Sequence, residues 1–426
     1  MKEKSRPRLK IEKLVYGGLG LGRLDGRTVL VRYSAPGETV EVELLKEKRD
    51  YAEGVALKVI EPSPFRREPP CPYYGVCGGC QLQHLAYHAQ LDAKRAILLE
   101  SLERIGKLKD VPYEGEIPSG QEFHYRVRVQ FKVKDGKIGF YRWDSKEVVD
   151  VNECLLAHRK INELIPALRE INKALKDLQE VHVTYSPSAD ETVLKLYTIT
   201  YADEKLVESL KESVLPKSVV GVGNYGSVGA SSVKRYFIGR EHVFMDVGRW
   251  RYRVSADSFF QVNYTLWEPF LEEVLRKGGS YRKGLDLHCG VGFFTIPLSV
   301  QGNFIEGADA NPSAIKDAEY NAKLNRRDNV VFTEATAYRY LKRRAGEIFD
   351  LVVLDPPRTG LLKEEVELLI KNKPARIVYI SCNPTTLARD LKMLVRGGYE
   401  LKGVKLIDNF PQTFHVESVS LLELSV

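Results

Sequence analysis

The 426-residue sequence contains no long apolar run, no internal repeat and no tract of low complexity. A membrane-spanning helix needs about 20 consecutive, mostly apolar residues, and no stretch of this chain approaches that length. The chain starts with the charged residues Met1-Lys-Glu-Lys-Ser-Arg6 and no apolar segment follows them, which argues against a signal peptide. We therefore expect a soluble, cytoplasmic monomer that has no membrane partner.

A strong charge excess is also absent. Lys and Arg number 64 and Asp and Glu number 57, which gives a formal net charge of +7. This mildly basic balance allows a polyanionic partner such as RNA but does not require one. The length is too great for one compact core, and the patterns along the chain place three domains at residues 1–60, 61–250 and 251–426.

The first domain is typical of a small β-barrel. Turns that contain Gly and Pro separate strand-like segments at residues 8–16, 27–33, 39–45 and 51–60. The glycine-rich run 17–22 is interpreted as a turn, and it lacks the Gly-Lys-Ser/Thr ending of a phosphate-binding loop. A proline-dense stretch at 61–72 then marks a domain boundary.

The middle segment is predicted to be an α+β domain. Helical periodicity covers about 86–105, and residues 125–133 alternate charged and apolar side chains, as expected of a sheet with one wet, basic face. Folded RNA is recognised largely by its shape, through surface arginines and aromatic side chains. We therefore expect contacts with RNA from surface residues such as Tyr125, Arg126, Arg128 and Phe131.

From about residue 251 onward, short apolar runs alternate with helical patterns. The runs lie at 283–287, 304–308, 330–333, 351–354 and 376–380. This alternation is typical of a mostly parallel α/β sheet, in which ligands bind at the carboxyl ends of the strands. The fold class that we expect for this domain is therefore Rossmann-like α/β.

The first of these runs ends in a turn that is typical of nucleotide binding. Gly290 and Gly292 let the backbone pass close to a ligand, and the missing third glycine of the dinucleotide fingerprint disfavours NAD. Asp309 ends the next strand, where a carboxylate can accept both ribose hydroxyls, and Asp286 suits the amino-acid end of a zwitterionic ligand. Together they indicate S-adenosylmethionine (SAM). An ordinary turn, with Asp309 as a helix N-cap, is the alternative.

Three further segments carry candidate reactive groups. In Asp355-Pro-Pro-Arg358 the prolines fix a turn that can frame a flat base, and Arg358 can bind a phosphate. Cys382 stands between a strand and a helix N-terminus, where amide donors and the helix dipole favour a thiolate. Glu417 lies among apolar residues, so burial can raise its pKa toward that of a general base. Taken singly, each also fits a plain structural role.

One reaction uses all of these groups. C5 of uracil is a weak nucleophile, so a thiolate first adds to C6, and the resulting enolate attacks the sulfonium methyl group through C5. A base then removes the C5 proton and the thiolate leaves. We therefore expect Cys382 to be the nucleophile and Glu417 the base, acting on a uridine that has left any stacked helix.

The cysteines indicate a metal site. Cys71, Cys77 and Cys80 are close in sequence, and Cys154 is the candidate fourth ligand. The paired short spacings of structural zinc sites are absent, and a four-thiolate iron–sulfur cluster suits the arrangement better. Zinc remains the alternative.

Taken together, the motifs resemble those of the RNA 5-methyluridine methyltransferases that carry an N-terminal TRAM domain and a [4Fe–4S] cluster, the group that contains the 23S ribosomal RNA uracil-5 enzymes. The likeness covers nearly the whole chain. The segments that look like TRAM are 16–23 and 35–38. The segments that match the methyltransferase motifs are 259–263, 286–292, 355–358, 381–384 and 415–418.

The resemblance implies a class I SAM methyltransferase domain, a [4Fe–4S] cluster on the four cysteines, and the roles given above for Cys382 and Glu417. It also implies SAM contacts from Gln261, His288, Phe293, Asp309, Thr336 and Asp355. Two positions depart from the family pattern. His288 stands where Phe or Tyr is usual, and we expect this change to leave stacking intact. Asp309 stands where a longer Glu is usual, so we expect a shifted or water-mediated ribose contact.

The substrate implied by the resemblance is 23S rRNA. The same chemistry on tRNA, for example on the T-loop uridine, is the first alternative, because no short motif identifies the target nucleotide. Cytosine-C5 methylation is disfavoured, since nothing marks a pocket that reads N4. A non-catalytic iron–sulfur RNA-binding or redox protein is a further alternative, against which the intact Cys382 and Glu417 argue.

Overall fold

The computed structural model describes residues 6–228 and 231–425. Its first unit is a closed β-barrel in which the strands follow the order β1-β2-β3-β5-β4. The strands are β1 (Arg8–Val15), β2 (Leu19–Leu24), β3 (Arg27–Arg32), β4 (Thr39–Glu47) and β5 (Tyr51–Glu61). Alternate side chains point inward and form a small core, which includes Leu9, Ile11, Val29 and Val31.

The glycine-rich run 17–22 is only partly a turn. Gly17 and Gly18 adopt positive φ values of 101° and 73°, but β2 begins at Leu19, so the prediction of a turn over the whole run is wrong. Gly20 lies inside the strand, where a Cβ atom would lie 2.8 Å from Cγ2 of Ile11. Glycine is used here for close strand packing as well as for turning.

Residues after the barrel first join the C-terminal unit. Helix α1 (Tyr87–Arg104) confirms the helical prediction and packs against the last helix of the chain. Strand β6 (Tyr113–Ile117) pairs in parallel with the strand at Tyr399–Ile407 and forms one edge of the C-terminal sheet. This edge strand therefore precedes the middle sheet in sequence.

The middle unit is a seven-stranded sheet with the order β13-β12-β11-β10-β7-β8-β9. Its strands are β7 (Arg128–Lys134), β8 (Lys137–Tyr141), β9 (Val148–Asp150), β10 (Leu178–Ser186), β11 (Glu191–Thr198), β12 (Val219–Val228) and β13 (Ser231–Gly239). Its helices are α2 (Arg159–Asn162), α3 (Ile165–Ala174) and α4 (Glu204–Ser213). The unit is thus α+β, as predicted.

The expected RNA-contacting side chains of this unit are not all at the surface. Tyr125 and Phe131 are both 0% exposed, so the prediction that they contact RNA is wrong. The ring of Phe131 lies in the hydrophobic core, and the buried hydroxyl of Tyr125 donates to the carbonyl oxygen of Pro411 at 3.0 Å. Nη1 of Arg128 donates to the carbonyl oxygen of Ser258 at 2.6 Å, which fastens the sheet to the C-terminal unit.

The C-terminal unit begins with the hairpin of β14 (His242–Val247) and β15 (Trp250–Ser255), followed by a 3-10 turn at Tyr264–Leu266. Its further strands are β16 (Tyr281–Leu287), β17 (Gly302–Asp309), β18 (Val330–Glu334), β19 (Leu351–Leu354), β20 (Arg376–Ser381), β21 (Tyr399–Ile407) and β22 (Glu417–Leu424). Its helices are α5 (Trp267–Gly278), α6 (Thr295–Leu298), α7 (Pro312–Leu324), α8 (Ala337–Arg343), α9 (Lys363–Asn372) and α10 (Pro384–Arg396).

These strands form an eight-stranded sheet with the order β18-β17-β16-β19-β20-β22-β21-β6. The five strands from β18 to β20 are parallel, which confirms the α/β prediction. Strand β22 runs antiparallel to both β20 and β21. The chain reverses its direction of winding between β16 and β19, and such a reversal creates a crevice at the carboxyl edge.

The barrel is packed onto this unit. Leu14 and Ala35 share a hydrophobic cluster with Leu387 and Leu391 of α10. Among the described helices, none combines the length and apolar character needed to cross a bilayer.

Candidate active site

Cys382 lies in the turn between β20 and α10, at the carboxyl edge of the sheet. Pro384 begins the helix, and its fixed φ suits the first helical position. Asn383 caps the helix, because its side-chain oxygen accepts a hydrogen bond from the Thr385 amide at 3.0 Å. These two residues fix the position of Cys382, which is partly exposed.

Glu417 reaches the same edge because β22 is inserted antiparallel beside β20. Ser381 pairs with Ser418 in this antiparallel ladder. Cys382 follows Ser381 and Glu417 precedes Ser418, so these two residues lie side by side. Asp355 follows β19, which borders β20 on its other side. The sheet order therefore brings one thiol and two carboxyl groups together.

The two carboxyl groups are buried, and burial dominates their electrostatics. Burial, reinforced by the charge of Asp355, raises the pKa of Glu417 to about 8, although a hydrogen bond with Asn409 opposes the shift. Burial likewise raises the pKa of Asp355 to about 7. The raised pKa expected for Glu417 is thus present, and a group with such a pKa can exchange a proton near neutral pH.

The thiol of Cys382 does not behave as expected from its place beside a helix N-terminus. Burial raises its pKa to about 12, and the charges of Glu417 and Asp355 add to the rise, whereas Arg358 opposes it. Desolvation and two neighbouring acids therefore outweigh the helix dipole. In the protein chain alone the group is a thiol, and the expectation of a preformed thiolate is wrong.

The turn after β16 leaves room for a ligand. His288, Gly290 and Gly292 all have positive φ, at 63°, 54° and 83°. A Cβ atom on Gly290 would meet no other atom within 4 Å, whereas one on Gly292 would lie 3.0 Å from Cδ1 of Ile296. Open space therefore borders Gly290, and Gly292 permits the close packing of the loop beneath it.

Two aspartates flank this turn. Asp286 is fully buried, and its Oδ2 accepts a hydrogen bond from the Thr295 hydroxyl at 2.5 Å, while its Oδ1 has no partner within the described part of the chain. Oδ2 of Asp309 accepts the Gly290 amide at 3.0 Å. The cap of α7 is Asn311, whose Oδ1 accepts the Ser313 amide at 2.9 Å. The alternative in which Asp309 is the N-cap is therefore wrong.

The remaining candidate cofactor residues differ in their surroundings. Gln261 donates to Oδ2 of Asp355 at 3.5 Å. Thr336 caps α8 at the same edge of the sheet, and the buried Nδ1 of His288 has no hydrogen-bond partner in residues 6–228 and 231–425. The ring of Phe293 is 5% exposed and packs edge-on against Phe260 and Phe294. The structure thus places the Phe293 ring in the core beneath the turn.

Sequence reasoning missed one residue of the barrel. The ring of Tyr16 packs edge-on against Phe414, with centroids 5.3 Å apart. Burial and the charge of Cys382 raise the pKa of Tyr16, and Arg358 lowers it, so its hydroxyl lies within electrostatic reach of Cys382. The TRAM-like segment 16–23 begins at this tyrosine but does not show that it lies near Cys382, because the barrel reaches the site only through the tertiary fold.

The four candidate cluster cysteines line one cavity of about 240 Å³. Cys71, Cys77 and Cys80 come from the linker after the barrel, and Cys154 comes from the segment after β9. Tyr73 also lines the cavity, and its hydroxyl accepts the amide of Asn152 at 2.9 Å. The cavity therefore lies between the linker and the middle sheet.

The thiols of this cavity disfavour one another's ionisation. Burial raises the pKa of Cys77 to about 11, and the charges of Cys154 and Cys71 reinforce the shift. Burial also raises the pKa of the other three thiols. Within the described ranges, no group of three or more His, Cys, Asp or Glu side chains has the arrangement of a single-ion site.

The chain matches known families over nearly its whole length. The family described as tRNA (Uracil-5-)-methyltransferase matches residues 86–425, and the TRAM domain matches residues 3–57. A protein of Aquifex aeolicus, named "Uncharacterized RNA methyltransferase", is 69% identical over 422 residues, and the match covers 99% of each chain. The 23S rRNA (uracil(1939)-C(5))-methyltransferase RlmD of Shewanella amazonensis is 33% identical over 430 residues, which are 98% of this chain and 95% of that protein.

A solved structure extends this likeness to the fold. The Pyrococcus abyssi tRNA (uracil-54, C5)-methyltransferase, in complex with S-adenosyl-L-homocysteine, matches with a TM-score of 0.77 and 30% identity. The match covers 98% of this chain and 100% of that chain. The chain therefore belongs to the family of SAM-dependent RNA uracil-C5-methyltransferases and carries an N-terminal TRAM domain.

Proposed function

We propose that this enzyme methylates C5 of a specific uridine in structured RNA, with Cys382 as covalent nucleophile and Glu417 as base. The observation that supports this most is the register of β20 and β22, which puts the two residues side by side, one step beyond the Ser381–Ser418 pair. Attack at C6 and proton removal at C5 involve adjacent atoms of one ring. A nucleophile and a base at neighbouring strand ends suit that requirement.

In the first half of the reaction, Sγ of Cys382 forms a bond to C6 of the uracil. The electrons of the C5–C6 double bond move toward O4, and C5 then attacks the methyl group, so that S-adenosylhomocysteine leaves. Because the pKa of the thiol is raised to about 12, the thiol must lose its proton to water while the uracil is bound. Arg358 opposes that rise, and its permanently charged guanidinium is suited to promote the loss.

In the second half, C5 carries both the new methyl group and its original hydrogen. Glu417 takes this proton, the electrons restore the C5–C6 double bond, the bond between C6 and sulfur breaks, and Cys382 is released as a thiolate. The step needs Glu417 in its ionised form. A pKa raised to about 8 makes that carboxylate a stronger base than an exposed glutamate.

The turn after β16 fits the proposed methyl donor. Oδ1 of Asp286, which has no hydrogen-bond partner among the described residues, can accept a ligand's ammonium group, and the open space at Gly290 can admit the ligand itself. Asp309 is proposed to bind the ribose hydroxyls. Bound there, SAM supplies the methyl group. By resemblance, further contacts come from Gln261, His288, Phe293, Thr336 and Asp355.

Cys71, Cys77, Cys80 and Cys154 are proposed to hold a [4Fe–4S] cluster. Four thiols around one cavity are the donor set that such clusters use. Buried thiols that raise one another's pKa need a cationic partner before they can ionise together. When bound, the cluster would supply metal–sulfur bonds that fasten the linker to the middle sheet.

We favour 23S rRNA as the substrate, because the relative from Shewanella amazonensis is named for that RNA. The alternative is tRNA, for which the structural relative from Pyrococcus abyssi is named. Both relatives match nearly the whole chain, so the shared fold does not separate the two RNAs.

The proposal is tested by methyl transfer from labelled SAM to separate 23S rRNA and tRNA transcripts, followed by mapping of 5-methyluridine. We expect label at a defined uridine of 23S rRNA and no label with Cys382→Ala. Label in tRNA alone would replace the favoured substrate by the alternative. Transfer by Cys382→Ala at the native rate would contradict the role of the nucleophile.

A further inference from the structure

Gln412 occupies a strained and buried position in the segment 408–416, which connects β21 to β22. Its φ is 69°, in the left-handed region that non-glycine residues rarely adopt. Its side chain is 0% exposed. A strained backbone conformation persists only where the surrounding contacts enforce it. The contacts of Gln412 therefore indicate what holds this segment in place.

The main chain of Gln412 is bound from two directions. Its carbonyl oxygen accepts the amides of Gln81 and Leu82, each at 3.0 Å. Its own amide donates to Oε1 of Gln90 on α1 at 2.9 Å. The end of the linker and helix α1 thus both form hydrogen bonds with the main chain of the segment.

The side chain of Gln412 uses both ends of its amide. Oε1 accepts hydrogen bonds from Gln90 at 2.9 Å and from Nη2 of Arg67 at 3.0 Å. Nε2 donates to Oε2 of Glu122 at 3.2 Å. Arg67 and Glu122 also form an ion pair with each other at 2.8 Å. These bonds require the amide specifically, since a carboxylate at this position would repel Glu122.

The same linker carries three of the proposed cluster ligands, Cys71, Cys77 and Cys80. Gln81 directly follows Cys80, and its Nε2 donates to the carbonyl oxygen of Gly78 at 2.8 Å. Oε1 of Gln81 accepts the amide of Phe414 at 3.4 Å. The cysteine loop, residues 71–82, is therefore hydrogen-bonded to the segment 408–416 at Gln412 and at Phe414, which lie on either side of Thr413.

At its C-terminal end, the segment leads directly into Glu417, the proposed base and first residue of β22. At its N-terminal end, Asn409 donates to Oε1 of Gln261 at 3.4 Å. The buried ammonium group of Lys94 binds Oδ1 of Asp408 at 2.6 Å and the carbonyl oxygen of Phe410 at 2.8 Å. A shift of the segment would therefore displace the Glu417 carboxylate.

We infer that Gln412 is a positioning residue: it holds the segment 408–416 against the cysteine loop and thereby keeps Glu417 in place for removal of the C5 proton. This inference rests on the proposed function. The linker, together with the group that the four cysteines bind, thereby has a role in the last chemical step. The addition of Cys382 to C6 and the methyl transfer remain largely independent of Gln412.

The inference predicts which intermediate accumulates. Loss of Gln412 should slow the step in which Glu417 takes the C5 proton and the bond between C6 and Cys382 breaks. RNA with ordinary uridine should then remain covalently attached to the enzyme with its methyl group already transferred. A misplacement of about 1 Å can slow a step by roughly 100-fold, and we expect a decrease of roughly tenfold to 100-fold in product release.

The variants are chosen to separate positioning from folding. Gln412→Gly removes the side chain while accepting the positive φ without strain. Gln412→Glu keeps the shape of the side chain but places a carboxylate against the carboxylate of Glu122. In the double variant with Glu122→Gln, the amide at position 122 donates and the carboxylate at position 412 accepts, so the hydrogen bond is restored in the opposite direction. We expect Gln412→Gly and Gln412→Glu to accumulate methylated covalent complex, and the double variant to release product faster than Gln412→Glu.

The measurement is a time course of labelled methyl groups in covalent complex and in free RNA, with RNA containing 5-fluorouridine as control. The fluorinated base cannot lose a C5 proton, so its adduct should form at a nearly unchanged rate in each variant. Equal losses of adduct formation and product release would show a merely structural role and overturn the inference. If the native enzyme forms no adduct, the proposed function fails instead.

Discussion

Nη2 of Arg358 lies 3.1 Å from Nε2 of His415, at the mouth of the site that holds Cys382. A guanidinium group can only donate, so Nε2 of the histidine accepts and the ring proton resides on Nδ1. Burial and the charge of Arg358 lower the pKa of His415 to about 3. The ring is therefore neutral, and its buried Nδ1 has no hydrogen-bond partner among the described residues.

The free Nδ1–H of His415 predicts a role in holding the substrate. His415→Phe keeps the ring contacts with Phe410 and Phe414 but removes the donor. We expect kcat/KM to fall by roughly tenfold, which corresponds to the loss of one hydrogen bond of about 1.5 kcal/mol. The measurement is steady-state methyl transfer at several RNA concentrations. An unchanged kcat/KM would show that Nδ1 has no substrate partner.

The raised pKa of Glu417 predicts the pH dependence of the last step. A carboxyl group with a pKa of about 8 is mostly protonated at neutral pH and becomes a base as the pH rises. Release of tritium from C5 of labelled uridine should therefore accelerate through pH 8, and His415 should add no titration near its ordinary pKa. In Glu417→Gln the release should be slow at every pH. A rate that falls across this range would exclude Glu417 as the base.

The open space at Gly290 predicts a steric test of SAM binding. Gly290 and Gly346 both have positive φ, and a Cβ atom on either would meet no protein atom within 4 Å. Gly290→Ala and Gly346→Ala should therefore strain the backbone similarly, by about 1–2 kcal/mol. We expect Gly290→Ala to weaken SAM binding by roughly tenfold in calorimetry and Gly346→Ala to leave it unchanged. Equal affinities of both variants for SAM would show that SAM does not bind at this turn.

The cysteine cavity predicts a metal content and a matched control. Protein prepared without oxygen should contain about four irons per chain, as one four-thiolate cluster requires. Cys154→Ser should lose iron and its visible absorption. Cys289→Ser should retain both, because Cys289 is buried at the cofactor turn and does not line the cavity. One zinc per chain in place of iron would support the alternative metal.

The local parts of this fold could be predicted from the sequence. Each parallel strand is a short apolar run, and Asp355 and Cys382 follow such runs directly, so their place at the carboxyl edge depends only on local order. The roles of β6 and Gln412 could not be predicted in this way. Gln412 and Gln90 are 322 residues apart, and no local pattern specifies a contact over that distance.

The wrong predictions at individual residues also concern contacts between segments that are distant in sequence. The pattern at 125–133 identified a strand, but it could not show which of its aromatic rings would be buried. The helix N-terminus beside Cys382 is local and was identified, whereas the two acids that raise the pKa of the thiol come from other strands. Burial, reinforced by charges that arrive through the tertiary fold, raises the pKa values of this site.

The central claim is that Cys382 forms a covalent bond to C6 of a uridine in RNA. The most direct measurement is mass spectrometry of the complex that the enzyme forms with SAM and RNA containing 5-fluorouridine. We expect a denaturation-resistant adduct whose digestion maps the modified nucleotide to Cys382, and no adduct with Cys382→Ala. An adduct that maps to another residue, or that persists in Cys382→Ala, would contradict the account.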